Sequence, residues 1–175
     1  MTARELSAEF CEALVLACAA GAPASAGQMV RDSAAAARIA ATALSGHAGP
    51  GDGRALLAAD LDLAKAFQLI AGWDRGSVTV ILAEAVALGA NRRAGGGWDG
   101  TGPTPEFVAA CCQAGGTLAD RTEAECMSLA RFGRLLAEAG GEAAAALLPA
   151  LPASPGARLA ALLRAWGMLV EGPRA

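Results

Sequence analysis

The sequence predicts an all-α protein, and three observations support that prediction. The apolar residues, 54% of the chain, are dominated by alanine and leucine, which have the highest helix propensities, while tyrosine is absent. Side-chain patterns that begin helices recur along the chain. The only β-branched run, residues 78–81, continues into a helical apolar period. We therefore expect residues 1–175 to form a single-domain orthogonal or up-down bundle of about seven or eight short helices.

Capping chemistry marks five helix starts. In a capping box, a serine or threonine and a glutamate or glutamine three residues later satisfy each other's backbone N–H groups. This pattern occurs at Thr2–Glu5, Ser25–Gln28 and Thr122–Glu125. A threonine or serine followed by proline marks two further starts, at Thr104 and Ser154. Glycine favours the left-handed conformation that closes a helix, so ends are predicted at Gly46, Gly72, Gly115 and Gly140.

The spacing of apolar residues then assigns each helix in order. The predicted helices cover about residues 3–20, 25–45, 54–71, 77–90, 105–114, 123–139, 142–148 and 155–170. The first carries a wide apolar stripe that includes Leu6, Phe10 and Leu14. The second is built from alanines, whose small side chains let a neighbouring backbone approach closely. The last places leucines and Trp166 at core spacing.

The third and fourth helices make more specific predictions. In the third, one apolar line runs through Leu57, Leu61 and Ala64, and a second runs through Leu56, Leu63, Phe67 and Ile70. The fourth has Glu84 as its only charge and is apolar nearly all round, which is typical of the buried centre of a bundle. We therefore expect the following residues to be among the most buried: Ile81, Leu82, Ala85 and Val86.

Charge and hydropathy argue against two classes of partner. The net charge is -3, Lys65 is the only lysine, and no basic cluster is present to bind a phosphate backbone, so no nucleic-acid partner is expected. The first helix contains three glutamates, unlike a signal peptide. The charge-free run at residues 143–157 contains three prolines and is shorter than a bilayer span. We expect no membrane partner and a cytoplasmic location.

The sequence contains no recognisable catalytic or metal-binding motif. His47 is the only histidine, which excludes sites that need two, and the phosphate-binding, zinc-protease and serine-hydrolase motifs are absent. The five cysteines form no C-x-x-C pair and lie within helical patterns, so we interpret them as reduced, small core side chains. No catalytic residue, metal or cofactor is expected.

One segment, "NRRAGGGWDGTGPTPEF" at residues 91–107, suggests a binding loop. Its five glycines give the loop at 92–104 unusual backbone freedom. Arg92 and Arg93 at one end, and the free N–H groups of the helix that starts at Thr104, could converge on an anion, with Trp98 and the adjacent Asp99 closing over the ligand. His47, in a separate Gly/Pro loop, is a further candidate. The alternative is a connector in which Trp98 fills a surface gap.

Two functional hypotheses follow. The leading one is a non-catalytic interaction protein that binds a protein partner or forms a homo-oligomer. The reason is that a chain of 175 residues does not easily bury the whole apolar surface of these helices. The alternative is an enzyme or a small-molecule-binding protein. Its ligand, for example an anion, would bind between helices beneath the 92–104 loop. The first predicts an exposed apolar patch without a deep pocket. The second predicts a concave apolar pocket with Arg92, Arg93, Trp98 or His47 at its mouth.

Overall fold

The computed structural model describes residues 6–45, 53–73, 75–97 and 102–169. Within these ranges the chain forms eight α-helices and no strand, which confirms the all-α prediction. The helices are α1 (Ala8–Cys18), α2 (Gly27–Ser45), α3 (Gly53–Ala71), α4 (Gly76–Ala94), α5 (Pro105–Leu118), α6 (Glu123–Ala139), α7 (Gly141–Ala145) and α8 (Ala153–Ala165). Short 3-10 turns, Ala24–Ala26 and Leu148–Ala150, precede α2 and α8.

Helix α5 occupies the centre of the bundle. It packs against α1, α2, α4 and α6, and 11 of its 14 residues are buried. Its composition explains this position, because its small residues, alanine, cysteine and glycine, let four neighbouring helices approach its backbone. At Gly115, an added Cβ would lie 2.6 Å from the Val15 carbonyl oxygen of α1. Gly115 was predicted to end the helix, and this is wrong, because α5 continues to Leu118.

Helix α4 lies at the edge of the bundle and not at its centre. Its buried residues are Val78, Leu82, Ala85 and Gly89, which recur every three or four positions and form one face toward α5. The predictions for Leu82 and Ala85 are confirmed, whereas Ile81 and Val86 are only half-buried. The cause is position: α4 packs mainly on α5, so its apolar outer residues remain accessible.

Several predicted helix boundaries are confirmed. The Thr122 hydroxyl accepts the Glu125 N–H at 3.3 Å, and the Glu125 carboxylate accepts the Thr122 N–H at 3.0 Å. The start at Thr104 and the end at Gly140, which has φ +89°, are also confirmed.

The other starts differ from the prediction. Helix α1 begins after Ser7, whose hydroxyl accepts the Phe10 N–H at 3.3 Å. Ser25 lies inside the 3-10 turn that precedes α2, and Ser154 lies inside α8, which begins one residue earlier. Thr2, Glu5 and Gly46 lie outside the described residues.

The core is one continuous cluster to which most helices contribute. The fully buried phenylalanines of α1, α5 and α6 form its bulk: Phe10, Phe107 and Phe132. Trp166 closes the core at the end of α8, where its ring meets that of Phe10 edge to face at 4.9 Å between centroids. Across the part of the chain described, none of the helices has the length and apolarity needed to span a membrane.

Candidate functional site

Helix α4 extends four residues beyond its predicted end, and this changes the position of Arg92 and Arg93. Both lie in the last turn of α4 and not in the loop that follows. Positively charged side chains in a last turn interact favourably with the C-terminal end of the helix dipole. Both arginines also bind residues at or just before the start of α5, Arg92 through Glu106 and Arg93 through Gly102. The Thr104 side chain instead packs against Gly89 of α4.

Glu106 in the first turn of α5 binds the first arginine. Arg92 Nη1 donates to Glu106 Oε1 at 2.5 Å, and Arg92 Nε donates to the Gly97 carbonyl oxygen at 3.1 Å. Arg134 of α6 approaches the same Glu106 oxygen at 3.7 Å. The Glu106 side chain is only 13% exposed. This carboxylate therefore links three helices, and no sequence motif indicated it, because its partners are distant along the chain.

The second arginine and Thr104 are held by backbone and packing contacts. Arg93 donates to the Gly102 carbonyl oxygen, and burial lowers the pKa of its guanidinium. Thr104 is fully buried, and a Cβ at Gly89 of α4 would lie 2.7 Å from its hydroxyl oxygen. The start of α5 is thus covered by α4. Arg92 and Arg93 thus bind the described residues on either side of the loop, Gly97 and Gly102, and anion binding there stays a prediction.

The three other sequence candidates, His47, Trp98 and Asp99, lie outside the described residues. That Trp98 covers a ligand, or alternatively fills a surface gap, stays a prediction.

The charge of Glu106 is stabilised by its surroundings. Burial alone would raise the pKa of its carboxyl, but a backbone N–H, the Arg92 guanidinium and the charge of Arg134 together bring that pKa below its ordinary value of 4.5. A carboxyl with a lowered folded-state pKa stabilises the fold above its unfolded-state pKa. That stabilisation is lost as the pH falls through the folded-state pKa.

We expect Glu106→Gln to lower the free energy of unfolding at pH 7 by about 1–2 kcal/mol, because it removes charge-assisted hydrogen bonds. The difference from wild type should shrink as the pH falls below the ordinary carboxyl range, since wild-type Glu106 then becomes protonated as well. Urea unfolding at pH 7, 5 and 3 measures this. Glu84→Gln, an exposed carboxylate nearby, is the control. A difference that is independent of pH would contradict the assignment.

A cleft of about 280 Å³ lies between α4, α5 and α6, and Glu106 and Arg134 form part of its lining. Its apolar lining comes from all three helices and includes Ile81 and Leu88 of α4, Ala109 and Ala110 of α5, and Met127 of α6. Arg131 and Arg134 of α6 add positive charge to the lining, and Glu84 and Glu106 add negative charge. The sequence did not predict this cleft, because its walls come from three helices that are separate in the chain.

A shallower apolar groove of about 510 Å³ lies between α1 and α8. Alanines of both helices line it, together with Leu16, Leu162 and Arg158. It has a single charged residue in its lining and no cluster of polar groups that would orient a small ligand.

Helix α3 presents leucines to solvent. The exposed fractions are 70% for Leu57 and 57% for Leu61, and Leu56 and Leu69 are also exposed. The opposite side of α3 supplies its buried residues, Ala59, Ala66 and Ile70, and packs mainly on α2. Of the two apolar lines predicted for this helix, the one that ends in Ile70 faces the bundle from Leu63 onward, although its first residue, Leu56, is exposed. The Leu57 line faces outward.

The five cysteines are all buried, as predicted for small core side chains. Burial and a hydrogen bond with Cys11 raise the pKa of Cys111, and a hydrogen bond with Cys18 and burial raise that of Cys112. The raised pKa keeps the thiols of Cys111 and Cys112 protonated near neutral pH, whereas nucleophilic chemistry needs a thiolate. No group of three or more metal-ligating side chains occurs in the described ranges.

Comparison with known proteins assigns no family. No protein-family model, curated protein sequence or solved structure matches this chain. The surfaces that the chain itself presents therefore indicate its function. The outward leucines of α3 and the α4–α5–α6 cleft are two of the surfaces that packing within one molecule leaves exposed.

Proposed function

We propose that this protein acts without catalysis, by binding a protein molecule through the outward leucines of α3. The observation that supports this most is the exposure of Leu57 and Leu61, at 70% and 57%, one turn apart on the same side of a helix. Single exposed leucines are common on protein surfaces. A group of them on one helix, whose other side already packs on α2, is typical of a surface that a partner covers.

Binding of a partner would bury leucine side chains of α3 that are exposed to solvent. Each exposed leucine that becomes buried contributes roughly 1.5–3 kcal/mol of favourable transfer free energy. Because these side chains already lie on a formed helix, little backbone ordering opposes that gain. Helices with regularly spaced apolar side chains along one side bind other helices by packing those side chains against an apolar surface of the partner.

Photo-crosslinking tests this proposal in living cells. A photoreactive phenylalanine at position 58, in place of the exposed Ala58, directly follows Leu57 and lies beside the outward leucines. We expect covalent adducts to a protein in the wild-type background and their loss with Leu57→Gln plus Leu61→Gln. Leu69→Gln, on the same helix but on another side, is the matched control and should leave the adducts in place. The proposal fails if no protein adduct forms, or if the double substitution leaves the adducts unchanged.

A second candidate function is the binding of a small amphipathic anion in the α4–α5–α6 cleft. The observation that favours it is the pairing of apolar walls, Leu88 and Met127, with Arg131 and Arg134 in the same lining. A carboxylate or sulfate ligand that binds only the folded state raises the melting temperature. We expect such a rise for wild type and none for Arg131→Gln plus Arg134→Gln. The absence of any rise for wild type with sulfate, phosphate or medium-chain carboxylates would eliminate this candidate.

A further inference from the structure

We propose that the molecule bound by α3 is a second copy of this chain, and that the two α3 helices pack in parallel as a short coiled coil. This inference rests on the proposed function, because it names the partner of the same surface. Three properties of α3 support it: the spacing of its outward residues, the charges beside them, and the self-complementarity of both.

The spacing is that of a coiled-coil contact line. Five outward residues of α3 follow one another at alternating intervals of four and three positions. We call them the α3 seam: Leu57, Leu61, Ala64, Gln68 and Ala71. This average of 3.5 residues is the repeat at which two helices remain in contact as they supercoil. All five seam residues are exposed.

The individual seam residues suit a pair of identical helices. Leu57 and Leu61 supply the apolar contact, and Ala64 and Ala71 let the two backbones approach closely. A single polar residue at such a position specifies register, because it is best accommodated against a polar residue of the other helix. With Gln68 in that role, two copies in register place amide against amide, which a shifted pairing does not.

The charges beside the seam select a parallel arrangement. Asp60 immediately precedes Leu61 and Lys65 immediately follows Ala64, so the two lie on opposite sides of the seam. In a parallel pair, a residue at the first of these positions meets the residue five places further along on the other helix. Asp60 would therefore face Lys65 of the second copy, and symmetry produces this contact twice. An antiparallel pair would instead bring each charge near its own kind.

The existing contact of Lys65 does not prevent this arrangement. Its Nζ lies 3.0 Å from Asp62 of the same chain, and both side chains are exposed. Exposed pairs of this kind contribute about 0–1 kcal/mol, so the lysine can change partner at little energetic cost. Asp62 can also remain close, since a lysine ammonium group can donate three hydrogen bonds.

The size of the seam predicts a reversible dimer. Residues 57–71 span about 22 Å of helix, at roughly 1.5 Å per residue. A pair of helices this short buries less than the roughly 1,200 Å² typical of stable complexes. We therefore expect a dissociation constant on the order of micromolar or weaker, unless neighbouring surfaces add contacts.

Sedimentation velocity of the full chain, from about 1 µM to 1 mM, measures this association. We expect a monomer that converts to a dimer as the concentration rises. Leu57→Gln plus Leu61→Gln should weaken dimerisation by at least ~100-fold, because four leucines leave the interface. Leu69→Gln should leave the dissociation constant unchanged. Circular dichroism melts of each variant verify that the substituted surface residues leave the fold intact.

Charge reversal tests the orientation. Asp60→Lys and Lys65→Asp should each weaken self-association by roughly tenfold, since each turns two attractive contacts into repulsive ones. An equimolar mixture of the two variants should form a heterodimer as tight as wild type, because both contacts become attractive again. The doubly reversed chain, with Asp60→Lys and Lys65→Asp together, should also dimerise as wild type does.

Three outcomes would overturn the inference: a monomer throughout the concentration range, a dimer insensitive to the leucine substitutions, or a dimer that Asp60→Lys does not weaken. These outcomes are distinguishable from failure of the proposed function. If the chain is monomeric but the position-58 adducts still depend on Leu57 and Leu61 and have the mass of a different protein, the function stands and the second copy is excluded. If no adduct forms, both fail.

Discussion

The Leu82→Asp protein should not fold. Leu82 is 1% exposed and lies on the side of α4 that faces the core. A carboxylate at this position would be buried without an ionic partner, at a cost of several kcal/mol. That cost is comparable to the total stability of a domain, which is roughly 5–15 kcal/mol. We expect insoluble protein, or a soluble chain without a cooperative melting transition by circular dichroism.

The neighbouring residue provides the matched control. Ile81 is half-buried and lines the α4–α5–α6 cleft, where an aspartate could remain hydrated within reach of the arginines of α6. Ile81→Asp should therefore fold, with a loss of about 1–3 kcal/mol. A Leu82→Asp protein that melts like wild type, or an Ile81→Asp protein that fails to fold, would show that the orientation of α4 is wrong.

The Gly115→Ala protein should lose roughly 2–3 kcal/mol of stability, although alanine is the better helix former. The new methyl group would lie 2.6 Å from both the Val15 carbonyl oxygen and the Cys18 Cβ, and 3.0 Å from the Ala19 nitrogen. The Val15 oxygen and the Ala19 nitrogen are backbone atoms, of α1 and of the residue that follows it. Helices α1 and α5 would therefore have to move apart, and the packing between them would be disrupted.

Gly76→Ala is the control for this prediction. A Cβ at Gly76 meets no atom within 4 Å, so the substitution should be neutral or stabilise the protein by less than about 1 kcal/mol. Urea unfolding of both variants measures the difference. Equal stability of Gly115→Ala and Gly76→Ala would mean that α1 and α5 are further apart than described.

Local side-chain chemistry made several parts of the fold predictable. The Thr122–Glu125 box and the Thr104–Pro105 pair mark helix starts, because their effect depends only on residues within one turn. Gly115 misled the same reasoning: a glycine after an apolar run resembles a helix end. Here it instead allows close approach of a second helix, and α1 is about 100 residues away in the sequence.

The candidate site was predictable only in part. Arg92, Arg93 and Thr104 flank one loop, so their proximity follows from chain connectivity. Glu106 was missed as the partner of Arg92, because the pairing requires α4 and α5 to lie side by side. Arg134 belongs to a third helix, and no spacing along the chain relates it to the other two.

By itself, the sequence determined the helical class, several helix boundaries and the presence of two apolar lines on α3. These depend on interactions within a few residues, namely intrinsic propensity, capping and the 3.6-residue period. Only the tertiary structure decided that α5 is central, that α4 lies at the edge, and that Leu57 and Leu61 face outward. Burial depends on which helices pack against each other, so an apolar line can be directed toward either the core or solvent. On α3 it is the packing against α2 that leaves the α3 seam exposed.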